Sequence, residues 1–140
     1  MGKLLEKEIK NELNKKSGFI YENKYAIKDI QDNYCKLEGT IDETSLNPYG
    51  IVHGGYIFGL ADTAGGIAIS TTGRVGVTTN SSILFLHKAD CNKLIAIAKV
   101  IKVGKELANC EVDICDENNN MIAKVLLEYF FINTELLKSK

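Results

Sequence analysis

The chain is short of several residue types, and each scarcity removes a class of protein. It has one arginine, Arg74, and no basic run longer than the Lys15-Lys16 pair, with 17 basic residues set against 18 acidic ones. A net charge of -1 gives no electrostatic footprint for a polyphosphate backbone, so nucleic acid is not an expected partner. Only two histidines occur, His53 and His87, and the four cysteines (Cys35, Cys91, Cys110 and Cys115) form no CxxC pair, which leaves no zinc-finger spacing. The cysteines are read as reduced thiols in the core or at the surface, and neither a metal nor a redox cofactor is implied. Leu4 and Leu5 are followed at once by Glu6, Lys7 and Glu8, so no apolar stretch of signal-peptide length opens the chain and a cytoplasmic location is expected.

What the chain does have is concentrated between His53 and Arg74. There, a run of twenty residues is apolar or small throughout but for one charge, Asp62. A carboxylate among Ile57, Phe58, Leu60, Ala61, Ala64 and Ile67 loses water and has no partner nearby in sequence, so a desolvation cost is expected there, of a kind tolerated for function. The segment opens with His53-Gly54-Gly55, where bare backbone can approach a ligand and the N–H groups of a starting helix lack intrahelical partners. The stretch 54–73 is long enough for a bilayer span, and Gly55-x-x-x-Gly59 resembles a helix-pairing motif. Asp62 near the bilayer centre and six glycines argue against that reading, and no membrane is expected.

At 140 residues one domain is expected, 1–140, with an N-terminal helix in 1–18 and a tail at 133–140. Residues 3–16 carry Leu5, Ile9 and Leu13 at helical spacing, and Ser17-Gly18 is a plausible stop. Tyr25–Ile30 and Tyr34–Ile41 read as strands joined by Asp32-Asn33. The stretch 42–50, with the one proline Pro48, reads as a loop and Gly54–Thr72 as a helix apolar on all faces but one, with Gly65-Gly66 as a possible kink. From Val75 on the period becomes alternating. Val75–His87, Leu94–Val103, Leu107–Cys115 and Met121–Ile132 are predicted to form an antiparallel meander of hairpins. Cys110, Val112 and Ile114 share a core face opposite Glu111 and Asp113, and Ala123, Val125, Leu127, Tyr129 and Phe131 form the apolar face of the last strand. Ile83–Leu86 is apolar on both faces, which points to cover by the helix on one side and a subunit on the other. The expected fold class is α+β, a curved antiparallel sheet of five or six strands wrapped around a long central helix.

The run Asn47-Pro48-Tyr49-Gly50-Ile51-Val52-His53-Gly54-Gly55, followed by Phe58 and Leu60-Ala61-Asp62-Thr63-Ala64, resembles the signature of hotdog-fold acyl-CoA thioesterases of the phenylacetic-acid-degradation type, within the 4-hydroxybenzoyl-CoA thioesterase superfamily. Ile83-x-Phe85-Leu86 with Ala89, and Val103-Gly104-Lys105, are similar to that family's later strands. Where relatives often read Phe-Leu-Arg-Pro, this chain has Phe85-Leu86-His87-Lys88. The resemblance implies hydrolysis of an aryl- or medium-chain acyl-CoA, with coenzyme A present only as part of the substrate. It implies that the Gly54 N–H polarises the thioester carbonyl and that Asp62 acts as nucleophile or general base. Because eight helical residues separate the two by roughly 12 Å, one carbonyl cannot touch both, and the site is expected to combine two subunits of a homodimer, itself part of a homotetramer.

Other positions follow with less weight. Asn47 is expected to hold His53 or the substrate carbonyl through its amide and His53 to fix the Gly54 loop, with Thr78 or Thr79 as a hydroxyl near the acid. Gly55, Tyr56, Phe58, Ser82 and Phe85 are expected to bind the acyl group, with Lys102 and Lys105 meeting the phosphates of coenzyme A, since sixteen lysines accompany the single arginine. His87 has no assigned role. The alternative class is a non-catalytic acyl-CoA sensor or carrier, which the pairing of Asp62 with His-Gly-Gly disfavours. A dehydratase would bring a different, proline-rich loop context, and a DNA-binding regulator would need a further helix-turn-helix.

Overall fold

The computed structural model describes residues 7, 9–11 and 14–133. Of the helix expected over 3–16, residues 7 and 9–11 are helical; its other residues up to 13, and the tail beyond 133, lie outside the described residues. Gly18 takes φ +91°, a value open to glycine, and a single helical turn follows, α1 (Phe19–Glu22), too short to show a period in the sequence.

Strands β1 (Tyr25–Gln31) and β2 (Tyr34–Thr40) form the expected hairpin, with Asn33 at φ +62° in the turn. A 3-10 turn (Glu43–Ser45) is capped by Asp42, whose carboxylate accepts the Thr44 N–H and pairs with Lys24. Then come α2 (Gly54–Ser70), β3 (Val75–Phe85), β4 (Lys93–Val103), β5 (Leu107–Asp116) and β6 (Met121–Ile132). All strand pairs are antiparallel, and the six strands form one sheet in the order β1-β2-β4-β5-β6-β3.

That order corrects the simple meander. Strands β4, β5 and β6 do follow one another by hairpins, but β3 pairs with β6 at the far edge of the sheet, and the segment through Asp90-Cys91-Asn92 is a crossover instead of a turn. Alternation tells which face a residue takes but not which neighbour a strand will have. The crossover is fastened by the Leu86 N–H to the Ile122 carbonyl at 2.8 Å and by the Val52 N–H to the Ala89 carbonyl at 2.9 Å.

Helix α2 packs against every strand, as the wrapped-sheet expectation requires. Leu60, Ala64 and Ala68 share one core with Leu37, Leu94, Ala96, Val112, Ile114 and Val125, all fully buried. The helix runs unbroken through Gly65-Gly66. At Gly59 an added Cβ would lie 2.8 Å from the Tyr25 hydroxyl and 2.9 Å from the Phe19 ring, so the glycine buys close approach of the neighbouring elements. On the outer face Glu111 and Asp113 are not merely solvated: Lys124 lies 3.7 Å and 2.7 Å from them. No helix among the described residues is long and apolar enough to cross a membrane.

Strand β3 is the element for which cover by a second subunit is expected. It forms an edge of the sheet, and Leu84, Phe85 and Leu86 are 60%, 54% and 55% exposed in the single chain.

Candidate active site

The start of α2 is built by its own cap. His53 has extended backbone, and its Nδ1 accepts the Gly55 N–H at 2.8 Å, while its carbonyl accepts the N–H groups of Tyr56 and Ile57 at 3.0 Å and 3.2 Å. Among the described residues this leaves the Gly54 N–H without a partner. The His53 ring thus serves as the helix cap through Nδ1. Asn47 does not reach His53. Its Oδ1 accepts the N–H groups of Tyr49 and Ile51 at 2.9 Å and 3.3 Å, closing the loop that delivers the histidine.

A cavity of about 380 Å³ adjoins this helix start, lined by Gly54, Ile57, Phe85, Leu86, His87 and Lys88 among others. The walls are largely aliphatic or aromatic, and the free helix N–H supplies a donor within them, reinforced by the positive end of the helix dipole.

Asp62 lies two turns further on and is half-buried. The expected lone carboxylate is in fact partnered from the sheet. The Thr78 hydroxyl donates to Asp62 Oδ1 at 2.5 Å, and the Tyr129 hydroxyl lies 3.2 Å from the same oxygen and 2.9 Å from the Asp62 carbonyl. Sequence spacing could not show this, since the partners are 16 and 67 residues away. A break in the β3–β6 register between Thr78 and Asn80 separates the two threonines. Thr78 turns to the helix, and Thr79 donates to Glu128 Oε1 at 3.0 Å.

The remaining expected positions divide. Phe85 lines the cavity, and Gly55 gives its N–H to the His53 cap. Tyr56, by contrast, is buried beside Tyr25 and its hydroxyl reaches the Asn23 and Thr40 carbonyls at 3.0 Å and 3.1 Å, a core role that removes it from the cavity lining. Phe58 is half-buried against the core, away from that lining, and Ser82 is exposed on β3 opposite Leu126. Lys102 and Lys105 share a separate cleft of about 480 Å³ with Asn109 and Glu128. Arg74 is committed elsewhere, donating to the Lys105 carbonyl at 2.7 Å and stacking 3.7 Å from the centre of the Phe131 ring. Among the described residues no three His, Cys, Asp or Glu side chains converge to hold a metal ion.

The family model of the thioesterase superfamily matches residues 49–123, a span that holds Gly54, Asp62 and Thr78. The chain belongs to this superfamily. A relative from Archaeoglobus fulgidus, described as an esterase, is 31% identical over 98 residues, which make up 69% of this chain and 64% of that protein, so the match spans just under two thirds of the relative. The acyl-coenzyme A thioesterase PaaI of Escherichia coli is 27% identical over 112 residues, 74% of this chain and 80% of PaaI. In three dimensions the E. coli PaaI protein from the phenylacetic acid degradation operon superposes with a TM-score of 0.84 at 21% identity, covering 93% of this chain and 95% of that one, which establishes the hotdog architecture. A "hypothetical thioesterase protein" of Streptococcus pneumoniae TIGR4, solved with coenzyme A, has a TM-score of 0.75 at 28% identity and covers 78% of this chain and 89% of its own. That protein has also been solved with an aspartate, and separately a threonine, replaced by alanine.

Proposed function

We propose that the protein hydrolyses the thioester of an aryl- or medium-chain acyl-CoA to the free acid and coenzyme A, with each site shared between two copies of the chain. The observation that carries the reading is the unpaired Gly54 N–H in the lining of an apolar cavity, at the start of a helix that also bears Asp62. The helix end stabilises negative charge as it develops on the thioester oxygen. Asp62 of the neighbouring copy supplies the other half. Water adds to the carbonyl carbon as the carboxylate takes its proton, or the carboxylate adds first and water then cleaves the resulting anhydride. The C–S bond breaks with its electron pair on sulfur, which leaves protonated as the thiol of coenzyme A.

Two subunits are needed because Gly54 and Asp62 stand about 12 Å apart on one rigid helix. The exposed apolar edge at Leu84–Leu86 supports a dimer there, and a tetramer would give further cover to apolar residues of the outer sheet face such as Leu126 and Phe130. The aspartate and threonine replaced in the S. pneumoniae relative are sixteen positions apart, as are Asp62 and Thr78, which supports Thr78 as the hydroxyl beside the acid. Coenzyme A in that relative's structure supports the substrate class, and the Lys102–Lys105 cleft is the proposed contact for its phosphates.

The test is thiol release from aryl, short and long acyl-CoAs by wild type and Asp62→Asn at matched folding and oligomer size. Release by wild type, lowered roughly 10²–10⁴-fold in the variant, is the expected result. Silence across the panel with acyl-CoA still bound would overturn hydrolysis in favour of a carrier or sensor.

A further inference from the structure

We infer that Tyr129 is the positioning residue of Asp62: its hydroxyl and that of Thr78 pin one carboxylate oxygen, Oδ1, and leave Oδ2 as the oxygen that acts. This rests on the hydrolase reading of Asp62 given above.

The ring of Tyr129 belongs to the core, being 2% exposed, yet its polar tip ends at α2. A buried phenol needs a hydrogen-bond partner, and the Tyr129 hydroxyl donates to two oxygens of Asp62, the main-chain carbonyl at 2.9 Å and Oδ1 at 3.2 Å, with the Thr78 side chain beside it. One proton serves two oxygens of the same residue, so the hydroxyl ties the side-chain rotamer to the helix backbone. Thr78 approaches the same Oδ1 from β3 at 2.5 Å. Among the described residues no hydrogen bond reaches Oδ2. Two donors on one oxygen draw its electron density into hydrogen bonds, and the other oxygen keeps the capacity to attack carbon or take a proton. Burial, with the nearby Asp62 charge, pushes the phenol far above its usual range, so it remains a donor throughout the working range of pH.

The helix is shaped around this hydroxyl. A Cβ added at Gly65, three residues beyond Asp62, would lie 2.5 Å from the Tyr129 oxygen, and one added at Gly76 on β3 would lie 2.9 Å from the Tyr129 Cβ. Glycine inside a helix is unfavourable, and at Gly65 its benefit is room for this phenol and for Leu127, whose Cδ1 would lie 2.8 Å from the same Cβ.

The experiment compares steady-state acyl-CoA hydrolysis and coenzyme A binding in wild type, Tyr129→Phe, Gly65→Ala, the double variant and Asp62→Asn, with folding checked by circular dichroism. Tyr129→Phe is expected to keep KM and coenzyme A affinity while kcat falls about ten- to a hundred-fold, the cost of a loosened catalytic group. Gly65→Ala, which displaces the same hydroxyl, is expected to show the same split, and the double variant no further loss, since both changes remove one interaction. Unchanged kcat in folded Tyr129→Phe, a proportionate rise in KM, or losses that multiply in the double variant would overturn the positioning role. If Tyr129→Phe does not fold, Gly65→Ala decides by the same split, and an unchanged kcat there overturns it. Full activity in Asp62→Asn would instead overturn the hydrolase reading of Asp62, whereas a dead Asp62→Asn beside a fully active Tyr129→Phe removes only the role of Tyr129.

Discussion

The ring of Phe85 lies over the backbone of Gly54, so close that a Cβ built on the glycine would stand 3.2 Å from the ring's Cζ. Phe85 is half exposed, and its far end can yield. Gly54→Pro removes the N–H at the cost of a small shift of the Phe85 ring. Proline is favoured at the first position of a helix, and His53 already has the extended backbone a following proline requires. The variant is expected to fold with a melting temperature near that of wild type and to lose about 10²–10³-fold in kcat, the usual cost of an oxyanion donor. Thermal unfolding followed by acyl-CoA kinetics checks both halves of the statement.

Shared sites predict complementation. Neither Gly54→Pro nor Asp62→Asn should hydrolyse acyl-CoA appreciably alone. Unfolded together and refolded, they are expected to regain about a quarter of wild-type activity, because half of the pairs are mixed and each mixed pair has one intact site of two. A mixture as inactive as its components would place both residues in a site within one copy.

The two neighbouring threonines should separate cleanly. Thr78→Val removes the donor to Asp62 and is expected to lower kcat about ten-fold or more. Thr79→Val touches only Glu128 and should leave kcat within two-fold of wild type, an estimate for a change outside the catalytic contacts. Parallel measurement of the two variants on one substrate is sufficient.

The buried thiols give a pH dependence. Burial is the main cause that pushes Cys35 and Cys110 up to about 12 from 9.0, so the folded protein keeps them neutral where the unfolded chain ionises them. Their contribution to stability is complete below pH 9 and lost as pH rises toward 12. Urea midpoints should fall across that window, and less steeply in Cys110→Ala. In native protein near neutral pH these two should stay silent to thiol reagents, which keeps a chromogenic assay of released coenzyme A free of their signal.

The sequence showed the elements and hid some of their neighbours. Alternation in β5 and β6 assigned Cys110, Val112, Ile114, Val125 and Leu127 to the core correctly, and the all-round apolar character of α2 announced a buried helix. It could not show that β3 crosses the sheet to β6, because period 2 carries no information about partners. Gly54 and Asp62 stand out by type and spacing. Tyr129 does not: on the pattern it is one more apolar-face residue, and only the 2.9 Å approach of its hydroxyl to the helix distinguishes it. Tyr56 stands two residues from Gly54 in the sequence, yet its hydroxyl reaches the Asn23 and Thr40 carbonyls on the core side of α2.

Gly54 and Asp62 both lie on the N-terminal side of Gly65-Gly66 in the unbroken α2. A helix that bent there would still leave Gly54 and Asp62 on the same rigid half, so no motion within a copy can bring the two together. On the shared-site reading a newly made chain is therefore inert until it meets another, and dilution silences the protein without unfolding any of it. Specific activity becomes a report on local concentration, with assembly as the event that switches hydrolysis on.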